Sequence, residues 1–238
     1  KKIKERIKKV KERIRKFFGI RLIKSIRDLI IFQQNAEFQQ KHPNPLNLYG
    51  KKCFSQNDED GITLEIIKRL GIKKGVFAEF GPGDGTENNT ISLAALKWKG
   101  FWVGSEDIKF KYNNSKNFHF SKGWITKENA LNFYNNALKN LDEKKADVFS
   151  LDLDGNDIYI LEELLKQIDH PSLIIAEYNA KFPPPIRFKI KYDAKFVWRA
   201  DDYFGASLSE FVDVLKKYSY KLVCCNSHTG SNAFFIKS

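Results

Sequence analysis

The stretch Val76–Thr90, VFAEFGPGDGTENNT, sets a short apolar run against a turn with glycines at 81, 83 and 85. It reads as a strand over Val76–Phe80, a glycine-rich turn, and a helix from about Glu87 to Lys97. Glycine lets a backbone approach a ligand closely and adopt dihedrals that other residues avoid. In an open α/β sheet, the turn after the first strand is where nucleotide-type ligands sit. The dinucleotide fingerprint G-x-G-x-x-G fits poorly, because the third glycine comes one residue early.

Outward from this turn, helix and strand signals alternate. A helix over 58–70 precedes it. A second strand at Phe101–Ser105 is followed by a helix and a short strand before Trp124. Then come a helix over 127–140, a strand over 147–152, a helix over 157–167, a strand over 172–177 and a helix over 207–217. This order predicts an α/β fold with a mostly parallel sheet and helices on both faces. Lys221–Cys225 and Asn232–Ile236 are joined by too short a loop for a crossover, so this last pair is antiparallel.

Glu79-x-Gly81-x-Gly83-x-Gly85 resembles the first motif of class I S-adenosylmethionine-dependent methyltransferases, whose fold also ends in an antiparallel strand pair. The resemblance implies a Rossmann-like seven-stranded sheet with S-adenosylmethionine held at Glu79, Gly81, Gly83 and Gly85. It also implies an acidic group after the second strand, accepting hydrogen bonds from both ribose hydroxyls. Trp102-Val-Gly-Ser-Glu106-Asp107 offers Glu106 for this, with Asp107 beside it. Phe54–Asp60 (FSQNDED), Glu87-Asn-Asn-Thr90 and Trp98-Lys-Gly100 together resemble FkbM-like and related sugar O-methyltransferases of bacterial polysaccharide genes. The likeness covers about residues 54–238. It implies O-methylation of a sugar or glycan precursor, with a glycan or sugar-phosphate-like acceptor as partner. Two readings compete: methyl transfer to a small metabolite or protein, and a catalytically degenerate module that binds or scaffolds through residues 1–32.

Ser150–Ile160, SLDLDGNDIYI, concentrates carboxylates behind the fourth strand. A calcium loop starting at Asp152 would need glycine at its sixth position. Here glycine stands at the fourth, after a strand, which excludes that reading. Methyltransferases of nucleic-acid amino groups usually carry Asn/Asp-Pro-Pro-aromatic at this place, whereas Pro183–Pro185 lies beyond the fifth strand, so nucleic acid is disfavoured as a partner. Metal-dependent O-methyltransferases resembling catechol- and macrocin-type enzymes place a carboxylate here and an acid/amide pair after the fifth strand. Asp152 and Asp154, with Glu177 and Asn179 of Glu177-Tyr-Asn179, match that pattern, although Tyr178 separates the second pair. These four are the candidate Mg²⁺ ligands, hard oxygens that suit the ion. Without metal, Asp154 or Glu177 is a candidate general base with a pKa raised by burial. Asp152 is alternatively an orienter of the cofactor's amino end, and Asn156 or Asp157 a cap of the following helix.

Between Asn179 and Ser207 runs a long connection, rich in aromatics and basic residues, of the kind that forms binding loops or lids. Its rings (Phe182, Phe188, Tyr192, Phe196, Trp198, Tyr203, Phe204) suit a sugar face, and Arg187, Lys189, Lys191, Lys195 and Arg199 suit phosphate or carboxylate. His42 and His170 read as structural, His119 falls on a strand, and His228, between the last two strands, is a candidate to face the substrate. Cys53, Cys224 and Cys225 have no metal-binding or disulfide spacing, which suits a reducing cytoplasm. With no methionine in the chain, Lys1 is not read as a translation start.

The formal net charge of +12 is concentrated at one end. Residues 1–28 hold 13 Lys and Arg against Glu5, Glu12 and Asp28, or 13 − 3 = +10. Ile3, Ile7, Val10, Ile14 and Phe17 recur at helical spacing, so 1–33 reads as a basic amphipathic helical extension, interrupted at Gly19, with 34–57 a linker and 58–238 the catalytic domain. Such a helix either lies on an anionic membrane surface, making the protein peripheral on the inner membrane face, or packs on its own domain or a partner.

Overall fold

The first strand, β1 (Val76–Phe80), is buried along its whole length, as expected of a strand covered on both sheet faces. The computed structural model describes residues 19, 22, 23, 26, 29, 30, 33, 36–227 and 231–238. The chain divides into two units, 1–43 and 44–238. In the first, residues 22, 23, 26, 29, 30, 33 and 36–41 are helical; the basic segment 1–18 lies outside the described residues, as does His228.

The second unit adds β2 (Lys99–Gly104), β3 (Phe118–Lys122), β4 (Val148–Leu151), β5 (Leu173–Glu177), β6 (Tyr220–Cys225) and β7 (Asn232–Lys237). They form one seven-stranded sheet in the order β3-β2-β1-β4-β5-β7-β6. Pairing is parallel throughout β3-β2-β1-β4-β5, and β7 runs antiparallel to both β5 and β6. This is a Rossmann-like, mostly parallel seven-stranded sheet with the antiparallel C-terminal pair expected from the sequence.

Period-two alternation divides the core between the two faces. Val76, Ala78 and Phe80 turn to one side, against α3 (Ala130–Leu141), α4 (Asp157–Leu165) and α5 (Leu208–Lys217). Phe77 turns to the other, with α1 (Glu59–Arg69), Leu93 of α2 (Ile91–Ala95), Trp98 and Trp102. Cys224 and Cys225 likewise pack on opposite faces, and both are free thiols.

Three expectations change. The helix predicted from Glu87 is only Ile91–Ala95. The buried Glu79 carboxylate accepts from the Asn89 and Thr90 amides and from Thr90 Oγ1, and holds 87–90 as a loop. No helix joins β2 to β3 among the described residues. There the Lys109 amide is taken by Asp84 O, and Asn114 Oδ1 and Ser115 Oγ accept from the amides of Phe120 and Phe118, local bonds that compete with helix. Lastly, the unit boundary falls between Pro43 and Asn44, inside the predicted linker, whose part from 44 onward lies over the second unit. A 3-10 helix, Pro45–Tyr49, buries Leu46 there. Asn44 Nδ2 and Asn47 Nδ2 donate to the carbonyls of Val223 and Cys225 on β6.

Candidate active site

The chain reverses its sheet order between β1 and β4, and in a parallel sheet such a switch point leaves a crevice at the strands' carboxyl ends. A cavity of ≈ 320 Å³ opens there. Its lining comes from the residues just beyond four adjacent strands: Gly81 and Gly83 after β1, Gly104–Glu106 after β2, Gly123–Ile125 after β3, and Asp152–Asp154 after β4.

Gly81 lies where β1 and β4 nearly touch. Its φ is +85, and a Cβ there would stand 1.6 Å from the Asp152 carbonyl oxygen, so only glycine fits. Gly83, φ +53, has nothing within 4 Å of the Cβ position and leaves open backbone on the cavity wall. Gly85 does not line the cavity: a Cβ there would meet Phe110 and Ile108, so it packs the turn against the β2–β3 connection. Glu79 does not line it either. It is 1% exposed, spends its carboxylate on Asn89 and Thr90 beneath the turn, and is pushed up to about 7 by burial. Both residues shape the glycine loop without facing a ligand.

Of the two acids after β2, Glu106 lines the cavity and Asp107 does not. The Asp107 side chain is 88% exposed and pairs with Lys122 Nζ at 2.6 Å.

Asp152, Asp154 and Glu177 converge, with carboxylate oxygens all within 4.8 Å of one another. The register explains it: Leu151 pairs with Ala176 in the parallel β4–β5 ladder, so the next residues, Asp152 and Glu177, emerge side by side. Asp154 reaches the cluster from a left-handed backbone, φ 55. Among the described residues no lysine or arginine lines the cavity, and crowding of like charges favours protonation. Burial, and then Asp157, push Asp152 up to about 8. Burial, and then Asp152, hold Glu177 well above the usual carboxylate range, and the two side chains share a hydrogen bond. Burial, and then Glu106, raise Asp154.

Asn179 is not part of this cluster. Beyond Glu177 the amides of Tyr178 and Asn179 donate to Ser231 O and Ala206 O, leading the backbone away from β4. The Asn179 side chain, fully buried, donates to the carbonyls of Asp202 and Phe204 and accepts from the Lys181 amide. It therefore pins the following loop, with both its amide nitrogen and its oxygen engaged there. Helix α4 is also organised differently from expectation. Asn156 makes no capping bond; its Nδ2 donates to Asp193 O. Asp157, the first helical residue, accepts from the amides of Leu153 and Gly155, so it folds the acidic loop back on itself, and burial pushes it up to about 6.

The connection after β5 covers the site. Phe196, Val197 and Trp198 line the cavity opposite the glycine turn. Phe196 lies so close over Gly155 that a Cβ there would stand 2.5 Å from its ring. The segment is held by Tyr159 Oη donating to Ile190 O, Trp124 Nε1 to Ala194 O, and Trp198 Nε1 to Asp201 O. Arg187 and Lys189 are tied to Asp213 and Glu210 on α5, so they are spent as structural ion pairs. Gly123, Trp124 and Ile125 were not singled out from the sequence; their only signal there is their place directly after a strand. His170 is structural, its ring nitrogens meeting Leu165 O and Lys237 Nζ. His119 bonds Ser121 Oγ on β3, away from the cavity lining.

No family model matches this chain, and no curated protein matches it. Among solved structures it is similar to the fibrillarin pre-rRNA processing protein of Methanococcus jannaschii, at 14% identity over 69% of this chain and 67% of that one, with a TM-score of 0.42. It is similar to an O-methyltransferase family protein from Burkholderia thailandensis, at 10% identity over 74% and 55%, TM-score 0.41. Human N-acetylserotonin methyltransferase in complex with SAM matches at 10% identity over 68% and 47%, TM-score 0.40. The chain spans about half the length of the last two. Likeness at this level carries no functional weight, and the reading of the site rests on its own geometry.

Proposed function

We propose that the protein is an S-adenosylmethionine-dependent O-methyltransferase acting on a hydroxyl of a sugar or glycan precursor. One juxtaposition carries the reading: open glycine backbone at 81 and 83, the Glu106 carboxylate, and Asp152 and Asp154 share one cavity at the switch point of the sheet, with Glu177 close behind the two aspartates. S-adenosylmethionine, when bound, supplies an electrophilic sulfonium methyl. Gly81 and Gly83 let it lie against the backbone, Glu106 accepts from the ribose hydroxyls, and the carboxylates favour a cationic centre nearby.

The acid cluster supports hydroxyl chemistry. A carboxylate whose pKa is raised toward neutrality is a competent proton acceptor, and in this reading one of the cluster's carboxylates, all raised by burial, takes the hydroxyl proton. The Trp198 and Phe196 rings offer stacking faces, and Trp124 completes the wall. Because every ionisable lining residue among the described ones is an acid, the cavity suits an uncharged ring and repels a phosphate at the reacting position. The three carboxylates also fit a hard divalent cation such as Mg²⁺, which would relieve their mutual repulsion and lower the pKa of a nearby hydroxyl. Asp152, Asp154 and Glu177 would hold it, without Asn179.

Titration calorimetry with S-adenosylmethionine, with and without Mg²⁺, followed by turnover on a panel of uncharged glycosides, tests this. Micromolar cofactor binding lost in Gly83→Trp is the expected result. Absence of binding overturns the enzyme reading, and turnover indifferent to a chelator overturns the metal site alone.

A further inference from the structure

We infer that the N-terminal unit is a docking surface for an anionic lipid bilayer, which holds the protein at a membrane face. The described residues Leu22, Ile23, Ile26, Leu29 and Ile30 lie in helix and are all exposed, between 48% and 68%. At about 100° per residue they fall within an arc of roughly 120°, so one side of the helix carries five large aliphatic side chains in water. A soluble helix places such an arc on a core; here it stands open.

Charge selects the occupant. Residues 1–28 carry +10, with Arg21, Lys24 and Arg27 interleaved among the apolar positions and ten further basic residues before Gly19. A second copy of this surface would bring +10 against +10. An anionic bilayer instead accepts aliphatic side chains at its acyl boundary and lysines and arginines among its headgroups. Among the described residues no helix is long and apolar enough to cross a membrane. The inference is independent of the methyl-transfer reading.

The test is flotation of the full chain with vesicles of phosphatidylcholine alone and of phosphatidylcholine with phosphatidylglycerol in equal parts. Binding is expected to the anionic vesicles at 0.1 M salt and to be lost on pure phosphatidylcholine, with roughly tenfold or greater weakening at 1 M salt. Leu22→Ser/Ile26→Ser/Leu29→Ser and, separately, Lys8→Glu/Lys9→Glu/Lys11→Glu should each lower the partition coefficient, the charge reversal by on the order of a hundredfold. An unchanged thermal midpoint of the 44–238 unit in each variant separates this from misfolding. Equal binding to both vesicle types, no binding to either, or a dimer in light scattering that Leu22→Ser/Ile26→Ser/Leu29→Ser dissolves would overturn the proposal, the last in favour of a second copy.

Discussion

Asp152→Asn is expected to stabilise the fold above neutral pH while damaging the site. Asp152 is held at about 8 by burial and by Asp157, Asp154 and Glu79, with Glu177 hydrogen-bonded to it. An unfolded aspartate titrates near ~3.9. The folded state therefore binds the extra proton between these values, and stability falls as pH rises through that window. Each pH unit costs about 1.4 kcal/mol per proton, absent below pH ~4 and complete above pH ~8. The full product, roughly 6 kcal/mol, is an upper bound. Asp152 is only half-buried and Glu177 shares the titration, so solvent screening brings the realised effect nearer ~2 kcal/mol. Asparagine keeps the shape and cannot ionise. The variant should match the wild type at pH 4 and exceed it at pH 8 by about 2 kcal/mol, or about 5 °C in Tm for a domain of this size. Urea melts at half-unit pH steps measure it directly. A variant less stable than wild type at pH 8, or a stability difference flat across pH 4–8, refutes the charge-crowding argument.

Two further substitutions probe the frame around the site. Gly81→Ala places a methyl 1.6 Å from the Asp152 carbonyl at φ +85, so β1 and β4 must part. A loss of about 3 kcal/mol or more is expected, with cofactor binding abolished in calorimetry; an unchanged melt would contradict the close approach. Asn179→Ala removes the donor to the carbonyls of Asp202 and Phe204, at ~0.5–1.5 kcal/mol for each hydrogen bond lost. Limited proteolysis should then cut within 180–205 while cofactor affinity changes little, and resistance equal to wild type would place the loop's anchor elsewhere.

The fold was legible because its signals are local. Short apolar runs alternating with helix signals recur at a spacing that a covered parallel sheet satisfies, and the closing pair is too tightly joined to be parallel. The site was legible only in part. Glu106 and Asp107 are adjacent and chemically alike, yet one lines the cavity and the other pairs with Lys122. Glu79, part of the motif that resembles a cofactor loop, instead satisfies the amides beneath it. A pattern of residue types marks where a loop must be shaped, and does not say which carboxylate shapes it and which faces the ligand.

The order of apolar runs, the glycines that let β1 end against β4, and the concentration of positive charge in residues 1–28 are properties of the chain itself. They follow from covalent geometry, side-chain periodicity and composition. That Asp152 and Glu177 meet, that Asn179 is drawn off to the loop, and that Phe196 and Trp198 close over the cavity depend on β4 lying beside β5 in register. Charge repulsion and desolvation act through space between residues far apart in the chain, so tertiary structure alone decides which carboxylates share a site and which protons they keep.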